Sequence, residues 1–481
     1  MAGQALTGGT GPRRRVLFGL LDADSWSWAS VKAFLWFLLI IVMLGYIPDR
    51  AYYFTVFPTI DIGLLGWSPV NLCPPSNKTL PCPAPAGAIL PWEPSPAELA
   101  LPEPRTGGTA VVAGTTLLYI GGAASEDGEA TTSVYVSTLY PNGNFSEWSA
   151  GPALPAGVRG AAAAFVGGNV VVLGGTDASG APTTDAWVLP IDAGTGELGA
   201  WQSAAEAGLP IDLPAPRTGA ALAVAGDGIF LVGGDDGSGP VSSVWKSTFD
   251  ADGVPTEWVP QAELLRPQAH ATAALIGDYL WVYGGSDADG PVGAVQRGDL
   301  VPEGEEGAGG ISRFGISDEV NLPEARTGAA GFTANGVLYL VGGADGAGPQ
   351  NELYWATPSA AGEIPGWQTL AATDLPERGL VGATAVVNGA EAFLIGGTTA
   401  DGTIATAARA NLAPQPPFFQ LGILGATIPA LKLEGEIGQQ IGYLNAAGAG
   451  TINFIILIVI GWAVAHPVRA RELLGRLRRR G

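Results

Sequence analysis

The chain has 481 residues, two cysteines, two histidines and a formal net charge of −21. So acidic a chain excludes a nucleic-acid binder, which needs a basic surface. Two cysteines without nearby histidines cannot supply a four-ligand zinc site, and neither a serine nucleophile elbow nor a phosphate-binding loop occurs.

Residues 1–30 read as a cytoplasmic or interfacial segment carrying Arg13, Arg14 and Arg15. Residues 31–47 form an apolar run, uncharged after Lys32 and flanked by Trp26, Trp28 and Tyr46. That pattern predicts a transmembrane helix with interfacial aromatics. A cleaved signal peptide is the rival, but no small-x-small cleavage site precedes Ile47–Pro48. Residues 48–86 read as an extracytoplasmic stalk. Its aromatics, Tyr52, Tyr53, Phe54, Phe57 and Trp67, suit a layer on lipid headgroups or a docking surface for a second membrane subunit. Cys73 and Cys82, alone in an extracytoplasmic loop, are expected to form a disulfide.

From residue 87 to residue 413 the chain repeats itself. Glycine doublets stand at Gly121-Gly122, Gly174-Gly175, Gly233-Gly234, Gly284-Gly285, Gly342-Gly343 and Gly396-Gly397, each ending an apolar run. A period of about 50 residues marks a propeller blade. The unit at 214–258 shows four short strands separated by turn pairs such as Asp227-Gly228 and Asp252-Gly253, the hairpin signal. An arginine opens most units: Arg105, Arg159, Arg217, Arg326 and Arg378, with His270 standing in its place once. These arginines are read as braces between blades. A middle aromatic recurs as Tyr135, Trp187, Trp245 and Tyr354, and a closing aromatic as Trp148, Trp201, Trp258, Phe314 and Trp367. The fourth unit lacks the middle aromatic and carries an insertion, Glu303 to Gly310, read as a protruding loop; the sixth has Ala408 at that position. Small residues fill the first strand of each unit, as a tapering interior requires.

An apolar run ending in Gly-Gly, a spaced aromatic and a spaced tryptophan resemble the kelch repeat, over roughly residues 87–413. The resemblance implies an all-β fold, a six-bladed kelch-like β-propeller. It leaves function open, because kelch propellers include enzymes and binding scaffolds. The copper oxidases among them need His, Tyr and Cys around the metal, and this ring has one His and no Cys. Six-bladed relatives include sugar-acid epimerases; here no particular acid/base pair is seen to converge.

The sixth unit has no fourth strand of its own, whereas Ile89-Leu90-Pro91-Trp92 offers one at the other end. The N-terminal ribbon is therefore expected to close the ring as the outer strand of the last blade. The chain then enters and leaves on the face of the first and third hairpin loops. The loops after the glycine doublets take the opposite face. They carry Asp127, Asp177, Asp235, Asp236, Asp287, Asp289, Asp345 and Asp401. Asp-Gly is first a turn pair; clustered carboxylates also suit calcium, but none of these loops matches a twelve-residue calcium loop. No other metal and no cofactor is called for.

Residues 414–445 read as a second stalk with an interfacial helix. Gly438, Gly442, Ala446 and Gly450 recur every fourth residue, a helix-packing stripe that permits close approach to the first span or to another subunit. Residues 446–465 are the second candidate span, and 466–481 a basic tail with six arginines. Arginines flanking both spans place both termini in the cytoplasm and the ring outside it.

The chain is thus expected to be a two-pass cell-membrane protein displaying an extracytoplasmic propeller. Its expected role is a non-catalytic protein-interaction scaffold or recognition module, an accessory subunit of a membrane complex. The alternative is a carbohydrate-binding or epimerase-like propeller working through its axial pocket. The expected partners are the lipid bilayer and a membrane or extracytoplasmic protein, with no nucleic acid.

Overall fold

A computed structural model describes residues 87–95, 99–140, 145–192, 196–250, 255–316, 320–376, 379–389 and 391–412, with short pieces at 15–16, 21–22, 31–36, 463 and 466. The chain divides into two compact units, Ala84–Pro414 and a second formed by Met1–Pro83 with Gln415–Gly481.

The first unit is six four-stranded antiparallel sheets. Each runs from an inner strand through a tight hairpin to a second strand, then a third, then an outer strand. Blade 1 uses Thr109–Ala113, Thr116–Ile120, Val134–Thr138 and Ser149–Ala150. Blade 2 uses Ala162–Val166, Asn169–Leu173, Ala186–Pro190 and Gln202–Ser203. Blade 3 uses Ala221–Ala225, Gly228–Val232, Val244–Phe249 and Pro255–Pro260. Blade 4 uses Thr272–Ile276, Tyr279–Tyr283, Val295–Leu300 and Ile311–Ile316. Blade 5 uses Ala330–Ala334, Val337–Val341, Leu353–Ala356 and Gln368–Thr369.

Blade 6 is assembled from both ends of the ring. Thr384–Asn388, Glu391–Ile395 and Ala407–Asn411 are completed by Glu93–Pro94, which pairs with Arg409 and Ala408. The ladder forms slightly later than the Ile89–Trp92 ribbon expected from sequence. Pro91 has no N–H to give. Ile89 and Trp92 instead bury their side chains in the interface of blades 5 and 6, while the Leu90 N–H donates to the Asn411 carbonyl at 2.9 Å.

The core is not a single mass but six apolar interfaces, one between each pair of neighbouring blades. Across the blade 6–blade 1 seam, Phe145 meets Phe393 edge-on at 4.9 Å. The second strand of each blade is the most buried: Val337–Val341 is enclosed along its whole length. It reads as a continuous apolar run because both of its faces lie against other blades.

The glycine doublets latch blade to blade. The second glycine of every doublet donates its N–H to a carbonyl at the opening of the next blade: Gly122 to Val158, Gly175 to Arg217, Gly234 to Gln268, Gly285 to Arg326, Gly343 to Leu380, and Gly397 to Arg105, all within 2.9 Å. At five of the six, a Cβ on the first glycine would overlap that same carbonyl. Two backbones can approach this closely only where the side chain is absent.

In the second unit, Arg15–Val16 pairs antiparallel with Leu21–Asp22, and residues 31–36 are helical. Among the described residues no helix is long and apolar enough to cross a membrane. Most of both expected spans, the Cys73–Cys82 pair, the two stalks and the Gly438, Gly442, Ala446, Gly450 stripe lie outside the described residues.

Candidate functional site

The blade-opening residues sit sixteen positions before the first glycine of each doublet: Arg105, Val158, Arg217, Gln268, Arg326 and Leu380. This frame corrects two readings. Arg159 stands one residue later than the braces. His270 stands two residues later and does not replace an arginine; Gln268 does. Arg378 lies outside the described residues.

Arg105, Arg217 and Arg326 are buried and, contrary to the expected bracing between blades, their side chains tie the opening of a blade to the third strand of that same blade. Arg105 reaches Ser133 and Tyr135; Arg217 reaches Ser243 at 2.6 Å and stacks on Trp245; Arg326 reaches Glu352 at 2.8 Å and the Tyr354 hydroxyl at 3.0 Å. Burial, opposed by the Arg326 charge, pushes the Tyr354 hydroxyl up to about 12. In blade 4 both partners change together: Gln296 replaces the aromatic and donates to Gln268. The closing tryptophans reach backwards instead. Trp148, Trp201, Trp258 and Trp367 each donate their indole N–H to a carbonyl in the link that opens their own blade, at 2.9–3.0 Å.

Two positions after each opening residue come Gly107, Gly160, Gly219, His270, Gly328 and Gly382. All six have positive φ, between 53 and 68°. They join blade to blade around the axis: Gly160 N–H to Gly107, Gly219 to Gly160, His270 to Gly219, Gly107 to Gly382 and Gly382 to Gly328, at 2.7–2.9 Å. Among the described residues no such bond joins Gly328 to His270. The circlet opens where histidine replaces glycine. A non-glycine residue at φ 53° carries strain of roughly 1–3 kcal/mol, and such strain gathers at functional sites.

Two ionisable side chains, Asp235 and Arg159, act on the histidine at this position. The His270 imidazole lies against Gly219, where an added Cβ would meet its Cε1 and Nδ1 at 2.5 Å. Asp235, the residue after the third doublet, bridges to Thr218 beside it. Arg159 lays its stem over Gly107 and donates to the carbonyls of Glu126 and Gly128 in blade 1. The imidazole is exposed to solvent yet ringed by protein. That enclosure lowers its pKa; the Asp235 charge opposes the shift and the Arg159 charge reinforces it. The ring is therefore held neutral at neutral pH.

Around this mouth stands the rim of loops between second and third strands. Every blade contributes a carboxylate: Asp127, Asp177, Asp235 with Asp236, Asp287 with Asp289, Asp345 and Asp401. Most are fixed by their own turns. Asp177 accepts from the Ser179 hydroxyl and the N–H groups of Ser179 and Ala181; Asp236 accepts from Ser238; Asp345 accepts from Ala347, Gly348 and Gln350. These bonds hold all three below the usual carboxylate range. Asp287 pairs with Arg266 at 2.6 Å. Asp127, Asp289 and Asp401 are exposed. Among the described residues no group of three His, Cys, Asp or Glu side chains is placed to hold a metal ion.

Six meandering blades, a glycine doublet in each and a ring sealed by the ribbon that precedes it define a six-bladed β-propeller. Residues 89–285, from that ribbon through the second strand of blade 4, match the KLHDC2/KLHL20/DRC7 Kelch-repeats domain. Among solved structures the chain is similar to one described as "Structure of YjhT", with 17% identity and a TM-score of 0.49, covering 64% of this chain and 95% of that one. The comparison with curated proteins gave no match.

Proposed function

We propose that the ring is a non-catalytic recognition module that binds a basic protein segment on its carboxylate-bearing face. One observation carries this reading: all six loops between second and third strands bring carboxylates to the same face. Several of them are held ionised by turn hydrogen bonds. Of the cations nearby, Arg266 is paired with Asp287, while Arg159 keeps its charge but spends donors on carbonyls of blade 1. A surface of one charge sign favours encounter with a partner of the other.

The module is proposed to stand outside the cytoplasm, anchored by the apolar runs at 31–47 and 446–465, as an accessory subunit of a membrane complex. The support for that placement is the hydropathy and arginine pattern of the sequence. The test is purification of the full chain after mild detergent extraction, beside a variant carrying Asp127→Lys, Asp289→Lys and Asp401→Lys. The wild type should retain a basic partner and the variant should lose it. A wild-type chain that remains solitary sinks the subunit reading. Labelling of single cysteines placed at residue 289 and in the C-terminal tail of intact cells tests the topology, with only the first expected to react.

A further inference from the structure

The rim is nearly repetitive, but the axial circlet is not. In five blades the circlet residue is glycine; in blade 4 it is His270, held at φ 53°. The blade-to-blade hydrogen bonding stops at that residue: among the described residues the His270 carbonyl and the Gly328 N–H make no backbone hydrogen bond. The residue after the doublet is Ala123, Thr176, Ser286, Ala344 and Thr398 in five blades and the carboxylate Asp235 in blade 3. The two exceptions are neighbours: Asp235 bridges to Thr218, and the imidazole lies on Gly219. One Asp235 oxygen accepts from the Gly237 N–H at 2.7 Å. The other, and both imidazole nitrogens, make no hydrogen bond among the described residues.

We infer that the axial mouth at His270 and Asp235 seats one cationic side chain, a guanidinium or an ammonium, of the basic segment bound by the acidic face. The inference rests on that reading of the face and adds its focal point. A neutral imidazole offers one acceptor nitrogen, and a carboxylate offers acceptors only. With the His270 carbonyl, the site presents acceptors to a ligand rich in donors. A charge-assisted bond to the carboxylate is the strongest contact available there. Arg159, the nearby cation, is turned onto the carbonyls of Glu126 and Gly128. The charged groups acting on His270 are Asp235 and Arg159. Protonating the imidazole removes its acceptor and adds like charge, so acid should release the ligand.

The probe is an acetylated, amidated nona-arginine peptide titrated calorimetrically into the full chain in detergent at low salt. His270→Gly suits the test, because glycine adopts the same backbone conformation without strain; Asp235→Asn keeps the acceptor used by Gly237. Each should weaken binding about tenfold, whereas Asp289→Asn and Asp401→Asn should each change it less than about threefold. Wild-type affinity should fall about fivefold between about pH 7.5 and about pH 5.5, and the His270→Gly variant should not share that fall. Wild-type binding that survives both axial substitutions, or that weakens equally with the rim substitutions, would overturn the axial seat and leave the acidic face standing. No binding of nona-arginine to the wild type would overturn both.

Discussion

Glu93 and Arg409 face each other across the closing ladder of blade 6, with their charged groups 3.8 Å apart. This is the point where the two ends of the ring meet. The Glu93 carboxylate is largely exposed and the Arg409 side chain partly so, and pairs in contact with solvent contribute little. The stability of the closure comes from its neighbours. Trp92 is 4% exposed and meets Phe332 edge-on at 6.5 Å.

Trp92→Ala should therefore cost about 3–5 kcal/mol and release the ribbon. Urea denaturation measures the loss, and limited proteolysis should show early cleavage near residue 95 in the variant alone. Glu93→Ala is the control and should change stability by less than about 0.5 kcal/mol.

The doublet latch predicts a sharp contrast between two glycines of similar backbone. Gly342 has φ 66°, and an added Cβ would overlap the Leu380 carbonyl. Gly180 has φ 84° with nothing within 4 Å. Gly180→Ala should cost about 1 kcal/mol of conformational strain. Gly342→Ala should cost at least about 3 kcal/mol, since the blades must also part. Equal losses in thermal denaturation would contradict the latch.

Arg326 has a fully buried side chain serving Glu324, Glu352 and Tyr354. Arg326→Met keeps the stem and removes the charge, at an expected cost of about 3 kcal/mol. Arg313 also pairs with a carboxylate, Asp299, but is 75% exposed. Arg313→Met should be nearly silent, within about 0.5 kcal/mol. Chemical denaturation of the two variants side by side decides whether burial or mere pairing sets the effect.

His270 predicts an acid dependence of stability. Its folded pKa lies below the ordinary value of 6.5, so the unfolded chain binds the proton more readily. The stabilisation from the neutral ring is fully present above 6.5 and is lost as pH falls from there toward the folded value. The rim aspartates titrate lower, because Asp177, Asp236 and Asp345 are depressed from 3.8. Melting temperature should thus fall for the wild type between about pH 7 and about pH 5, and His270→Gly should flatten that slope. A parallel slope in the variant would remove His270 as its source.

Much of the ring was legible in the chain because its features are local and repeated. The glycine doublets, the turn pairs and the apolar runs between them announce four strands per unit, and the missing sixth outer strand directs the ribbon near Ile89 to complete it. Arg159 and His270 do not hold the opening position, because distance to the doublet and not residue identity marks it. The constant sixteen-residue interval to each doublet assigns Val158, Gln268 and Leu380 to the opening position and His270 to the glycine position.

Periodicity, turn chemistry and closure were thus determined by the sequence itself, since each depends on residues close in the chain or on the count of units. The axial circlet was decided only by tertiary structure. Its members lie fifty residues apart, and their shared left-handed backbone has no composition signal once histidine takes one of the places. What brings His270, Asp235 and Arg159 to one mouth is the curvature of the ring, which carries three successive blades around a common axis.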